Sequence, residues 1–359
     1  MGFPVHGGDV FELARLHHID PQEIVDFSSN VNPLGPPSSA LERLGEATWM
    51  VSRYPDPSYH EFRRAVAGYA GSPPEGVIEG NGATELIYLF AEAFVKEGDR
   101  ILVPVPSFGE YERAARARGG APVFVPPARG LEVDVGRVAE EMSKGCAAVF
   151  LSSPNNPTSR TIPEKDLLGL LELASETGTP VCLDEAFVEF TDSPAGLSAR
   201  VGEFPNLLVV RSLTKIFGLP GLRVGYGLSS EETADRLRAA KMPWSLNALA
   251  QEAAIAALGD EAFLRRSRAV VSEERGFLYE GLKKIPRLEV LRPEANFILA
   301  RISDGLSASV LKSILLKRRI LIRDCSSFLG LGNGYFRVAV KLREDNVKLL
   351  SALGEVFDG

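Results

Sequence analysis

The chain has 359 residues, of which 45% are hydrophobic and 24% charged, and its formal net charge is -7. That length admits a large core, or a large unit carrying a smaller one, and the composition is that of an ordinary globular protein. The acidic balance argues against a nucleic-acid binder, which needs surplus Lys and Arg to neutralise phosphates, and no apolar run approaches the roughly 18 residues of a membrane span. Met1 to Gly8 hold neither a basic nor an apolar leader region, so no secretory signal is expected and a cytoplasmic location follows by default. Cys146, Cys182 and Cys325 are widely spaced and read as small buried hydrophobes of a reducing compartment. His6, His17, His18 and His60 lack ligand spacing with Cys or carboxylates, so no metal is expected.

From the N-terminus, His6-Gly7-Gly8-Asp9 precedes a short amphipathic helix for which Asp9 is the expected N-cap. Asp26 to Pro37 is too rich in Asn, Pro and Gly for regular structure, and reads either as a set of Asx turns or as a loop dense in binding groups. After the rigid turn Arg53-Tyr54-Pro55-Asp56-Pro57 comes a helix from about Tyr59 to Tyr69. In Gly80-Asn81-Gly82-Ala83-Thr84-Glu85 a strand meets a helix through two glycines. Glu85 stands where a dinucleotide fingerprint needs its third glycine, so an anion cup at a helix start is the better reading.

Strand-like and helix-like segments then alternate: Arg100 to Val103, a helix opened by Ser107 to Tyr111, Pro122 to Val125, Cys146 to Leu151 and Val181 to Leu183. Near-continuous apolar strands separated by helices indicate an α/β fold, with a mostly parallel sheet covered on both faces and ligands at the strand ends. After a strand at Val224 to Leu228, a long helical region runs from about 247 to 285. A smaller α+β unit follows, with strands at Phe297 to Ala300, Ile320 to Arg323 and Tyr335 to Val340 and a closing helix.

One stretch organises the whole. The apolar strand Leu207 to Val210 stops at Arg211-Ser212-Leu213-Thr214-Lys215, which sets a lysine among Leu213, Ile216, Phe217 and Leu219. Burial lowers a lysine's pKa, and a neutral amine makes a Schiff base with a carbonyl. Ser212, Thr214 and Arg223 are the donors that an anionic group beside Lys215 needs. In chain order the strand ends offer the Gly82-Ala83-Thr84 cup, Phe108, Asn156, Asp184, Lys215 and Arg223. Singly each has a structural explanation: Phe108 as core, Asn156 as a turn residue, Asp184 as a helix cap. Together they match pyridoxal phosphate, which has an aldehyde, a ring nitrogen kept protonated by a carboxylate, a phenolate oxygen, a flat ring and a phosphate. Ser212-x-x-Lys215 also fits a serine acyl-transfer motif, yet the Ser-Asp-Asn and Lys-Thr-Gly triplets that accompany it do not occur.

These segments, with Ser153-Pro154-Asn155-Asn156-Pro157-Thr158 and Asp184-Glu185-Ala186-Phe187, resemble the fold-type I pyridoxal-phosphate enzymes, in the branch that includes the histidinol-phosphate aminotransferases. Within that branch the chain looks most like the threonine-phosphate decarboxylases of the cobalamin pathway, on His6-Gly7-Gly8, Asp26 to Gly35, Met242 to Ala248 and Ile320 to Arg323. The resemblance implies a seven-stranded sheet in a large unit, residues 46–265, with residues 1–45 and 266–359 forming a small unit whose N-terminal segment covers the substrate. It implies Lys215 as the Schiff-base lysine, Asp184 beside the ring nitrogen, Asn156 on the phenolate oxygen and Phe108 against the ring. Gly82, Ala83, Thr84, Ser212, Thr214 and Arg223 would surround the cofactor phosphate, with Tyr54 arriving from the other subunit of a homodimer. His6, Gly7, Asn30, Asn156, Arg323 and Arg337 would line the pocket for a small phosphorylated amino acid. The implied reaction is decarboxylation of O-phospho-L-threonine to aminopropanol phosphate, the alternative being transamination of a histidinol-phosphate-like compound. Ser159 stands where the family often has glycine, Phe187 where related aminotransferases have tyrosine, and Val31 where a glutamate is common; the last two lean away from transamination.

Overall fold

Seven strands form the central sheet because their apolar runs have two faces to bury. The computed structural model describes residues 7–192, 196–303 and 305–358. Strand β1 (Val25–Asp26) lies apart from this sheet, which is built from β2 (Val77–Gly80), β3 (Arg100–Pro104), β4 (Ala121–Val125), β5 (Ala148–Ser152), β6 (Val181–Asp184), β7 (Leu207–Ser212) and β8 (Gly225–Leu228). Val149, Leu151, Val181, Leu183, Leu207 and Val209 enter the core on one face. Ala148, Phe150, Cys182, Leu208 and Val210 enter the core on the other. This is the period-two alternation of a strand with helices on both sides.

The strand order is β2-β8-β7-β6-β5-β3-β4. Only β8 runs against its neighbours β2 and β7. That reversal brings the start of β8 to the edge where β2, β6 and β7 end, with Gly225 opposite both Gly80 and Ser212. Arg223, just before β8, thereby joins the residues that follow the parallel strands.

A second sheet, of four strands in the order β12-β13-β10-β9, comprises β9 (Leu288–Val290), β10 (Phe297–Ile302), β12 (Arg323–Asp324) and β13 (Tyr335–Ala339). Strand β11 (Ile320–Leu321) pairs in parallel with β1 instead. The run read as one strand from Ile320 to Arg323 is therefore two, changing sheets at the buried Ile322. Its apolar run was visible in the sequence and its change of partner was not.

Three other expectations are corrected. The helical region from 247 to 285 is two helices, Ala248–Leu258 and Glu261–Lys283, because Asp260 starts the second by accepting from the Phe263 amide at 2.9 Å. The helix expected at Ser107 begins at Glu110, leaving Phe108 on the loop before it. Asp9 makes no side-chain cap for helix Val10–His17, and its carboxylate pairs with Lys312 at 2.8 Å. Among the described residues no helix is long and apolar enough to cross a membrane.

Candidate active site

The strand ends bring most of the expected residues together. Lys215 lies in the single helical turn Leu213–Ile216 after β7 and keeps partial exposure, whereas Leu213, Ile216, Phe217 and Leu219 around it are buried. Burial first, and then the charges of Arg337 and Arg223, lower its pKa from the usual 10.5 to about 8, with Asp184 opposing. The Lys215 Nζ is 5.8 Å from the centre of the Phe187 ring.

Asp184 ends β6 in the interior, and its two oxygens are held separately. The Ala186 amide donates to Oδ1 at 2.9 Å and the Tyr111 hydroxyl to Oδ2 at 2.8 Å. Burial raises the Asp184 pKa, and these two donors together with Lys215 work against that rise. Tyr111 stacks on Phe150 at 5.5 Å with ring planes 10° apart, and it meets Phe108 edge-on at 5.8 Å. Tyr111 was not expected in the site, since no local pattern separates it from a core aromatic.

Gly82 is the turn residue before helix Ala83–Phe94. Its φ of +80° is one a side chain rarely adopts, and a Cβ there would stand 2.4 Å from Arg223 Nη2. The Arg223 guanidinium thus packs directly against the peptide that precedes helix Ala83–Phe94. Ser212 and Thr214 share a hydrogen bond at 2.8 Å between their hydroxyls. Tyr54 is 81% exposed, and its ring lies tilted at 34° to that of Trp244 with the centroids 4.9 Å apart.

On the opposite wall, the Arg337 guanidinium donates through Nη1 to Asn156 Oδ1 and through Nη2 to the Ser28 carbonyl at 2.8 Å. Arg323 lies directly across from it in β12 and donates to Ser327 Oγ at 3.0 Å. Burial and the Arg323 charge bring Arg337 down to about 10, and burial lowers Arg323 as well. The Asn156–Pro157 peptide is cis. The Asn-rich loop is tied to the lysine segment through Asn32: its amide donates to the Lys215 carbonyl at 3.0 Å and its side chain to the Ile216 carbonyl at 2.6 Å. Asn30 is buried, and its Oδ1 has no partner among the described residues. Gly7 lies against Ser28, while His6 falls outside the described residues.

The model of the aminotransferase class I and II family matches residues 22–353. The chain belongs to that family. It is 37% identical to a histidinol-phosphate aminotransferase of Methanosarcina mazei over 97% of this chain and 92% of the relative. It is 35% identical to the threonine-phosphate decarboxylase of Salmonella typhimurium over 99% of this chain and 97% of the relative. The solved L-threonine-O-3-phosphate decarboxylase of Porphyromonas gingivalis matches with a TM-score of 0.84 and 29% identity, covering 94% of this chain and 100% of that one.

As a member of this aminotransferase family the chain is a pyridoxal-phosphate enzyme. Its donor set fits that cofactor, with an amine of lowered pKa beside a buried carboxylate and an arginine against a helix start. Ser159 adopts a left-handed φ of 62°, where glycine costs nothing, and its Oγ accepts from the Ala295 and Glu294 amides at 2.8 and 3.2 Å. On the strand that leads to the lysine, Arg211 is buried between Glu185 at 2.7 Å and Glu189 at 3.2 Å, an ion-pair group with no local sequence signature.

Proposed function

We propose that this enzyme decarboxylates O-phospho-L-threonine to aminopropanol phosphate, a step of cobalamin assembly, as a cytoplasmic homodimer. The observation that carries this reading is the facing pair Arg323 and Arg337, two buried cations on one wall of the site. The Arg323 charge disfavours that of Arg337, and burial disfavours both, so a substrate with two anionic groups would stabilise the pair. A phosphorylated amino acid has a phosphate and a carboxylate.

Bound pyridoxal phosphate supplies a ring that accepts the electron pair left when a bond to the α-carbon breaks. Lys215 would hold it covalently, Asp184 would face its ring nitrogen and Phe108 its ring. Asn156 would donate through its amide nitrogen, since its Oδ1 is taken by Arg337. Gly82, Ala83, Thr84, Ser212, Thr214 and Arg223 would take the phosphate, with Tyr54 of a second copy of the chain. In this assignment residues 46–265 carry the cofactor, and residues 1–45 and 266–359 form the unit that closes over the substrate.

Which bond breaks depends on which one the pocket holds perpendicular to the ring. A full arginine clamp on the carboxylate would oppose decarboxylation by stabilising charge that must leave. Arg323, with Asn30 and His6, would therefore hold mainly the substrate phosphate and so aim the carboxylate. With a pKa near 8, Lys215 Nζ takes up and releases a proton close to neutrality, which suits it to proton transfer at the reacting carbon.

Transamination of a histidinol-phosphate-like amine is the second reading, favoured by the 37% identity to such an enzyme. Incubation with O-phospho-L-threonine alone separates the two. Carbon dioxide and aminopropanol phosphate support the first reading, and a requirement for 2-oxoglutarate supports the second.

A further inference from the structure

Ser28 is buried at 1% exposure and lies at a junction of the site. Its hydroxyl donates to Asp26 Oδ1 at 2.6 Å, and its amide donates to the same oxygen at 2.8 Å. With its proton committed to Asp26, the hydroxyl presents a lone pair outward, and the Gly8 amide donates to it at 2.8 Å. The carbonyl of the same residue accepts from Arg337 Nη2 at 2.8 Å. One residue thus holds the N-terminal segment through its side chain and Arg337 through its backbone.

The segment is shaped to this contact. A Cβ on Gly7 would stand 2.2 Å from the Ser28 carbonyl oxygen, the atom that Arg337 uses, so only glycine lets the chain lie there. The next anchor along the segment is Asp9, paired with Lys312 at 2.8 Å. Strand β13 fixes the other side of the loop, since the Ala339 amide donates to the Phe27 carbonyl at 2.8 Å.

We infer that Ser28 is a positioning residue for substrate binding: its hydroxyl holds Gly7-Gly8 against the peptide that orients Arg337, so that covering segment and anion-binding arginine are set as one unit. This deepens the decarboxylase reading and rests on it for the identity of the substrate. Asp26 belongs to the same device, because it fixes the rotamer of the hydroxyl that Gly8 uses.

The test uses the holoenzyme. Ser28→Ala removes the acceptor of the Gly8 amide and leaves the carbonyl that Arg337 needs. Loss of one neutral hydrogen bond corresponds to about a fivefold effect. KM for O-phospho-L-threonine is expected to rise about fivefold with kcat within about twofold of wild type, and the Gly8 amide to exchange hydrogen about fivefold faster. Gly7→Ala, which keeps the hydroxyl and pushes the segment off the carbonyl, is expected to raise KM in the same way. Unchanged exchange at Gly8, an unchanged KM in either variant, or a parallel loss of kcat and cofactor affinity in Ser28→Ala would each overturn the inference. Exchange is read without substrate, so failure of the decarboxylase reading, seen as no turnover by wild-type enzyme, is distinguishable from failure here.

Discussion

Arg323 and Arg337 are direct register partners on adjacent antiparallel strands, β12 and β13. Directly opposed residues project from one face of a sheet, so the pairing places two guanidinium groups on the same wall. Their partners differ. Arg337 is fixed to Asn156 and to the Ser28 carbonyl. Arg323 leans on Ser327 and on the Phe328 ring, 5.4 Å from its guanidinium carbon.

That difference gives the first expectation. Arg323→Ala should raise KM for O-phospho-L-threonine by about 10- to 100-fold, the value of one or two charge-assisted hydrogen bonds, with cofactor affinity unchanged. Arg323→Lys keeps the charge and loses the fork, so an intermediate effect is expected. Steady-state kinetics with a parallel cofactor titration check both, and unchanged turnover of the phosphorylated amino acid in Arg323→Ala would contradict the assignment.

Lys215 gives a pH dependence of definite sign. Its folded pKa is depressed from 10.5 to about 8, so the unfolded chain binds more protons between those values and stability of the cofactor-free protein rises with pH across that window. The cost of burying the ammonium is fully present below about 8 and is on the order of 3 kcal/mol. Lys215→Met should therefore melt higher than wild type at neutral pH when both lack cofactor, with the gap closing toward pH 10.5. The rate of covalent cofactor attachment to wild type should climb with pH and level off above about 8. Calorimetry and stopped-flow absorbance measure the two effects.

Tyr111→Phe removes the donor to Asp184 Oδ2 and keeps the ring that stacks on Phe150. Burial holds the Tyr111 pKa well above its usual value, so the hydroxyl stays a donor at every working pH. Without it Asp184 relies on the Ala186 amide alone, and its pKa should rise further. The affinity for pyridoxal phosphate is expected to fall about tenfold with the fold intact, as read by fluorescence quenching and circular dichroism.

Gly82→Ala should displace Arg223, since the new methyl would meet its guanidinium at 2.4 Å. The φ of +80° adds backbone strain of about 1 kcal/mol. The expected signature is selective: weaker binding of pyridoxal phosphate with binding of unphosphorylated pyridoxal little changed. Equal losses for the two ligands would argue against an anion cup at this turn.

The residues that the sequence made legible are those at strand ends. Lys215, Asp184, Asn156 and Arg223 each follow or precede a run of buried apolar residues, and the break from apolar to polar marks the sheet edge without reference to the rest of the chain. The parallel sheet was legible for the same reason. Tyr111, Ser28 and the group Glu185, Arg211 and Glu189 were not, because their roles come from contacts with residues far along the chain. The change of sheet at Ile322 was hidden because Ile320, Leu321 and Ile322 make one unbroken apolar run from β11 up to the start of β12. In the Asn-rich loop Asn30 was singled out, whereas Asn32 makes the bonds to the lysine segment, a distinction that two asparagines two residues apart do not reveal.

The most direct measurement follows the carboxyl carbon of O-phospho-L-threonine. Enzyme loaded with pyridoxal phosphate and given substrate labelled at that carbon, with no 2-oxo acid present, should release the label as carbon dioxide and form one aminopropanol phosphate per substrate consumed. Label retained in an organic product, with turnover that begins only when 2-oxoglutarate is added, would contradict the decarboxylase assignment and establish transamination.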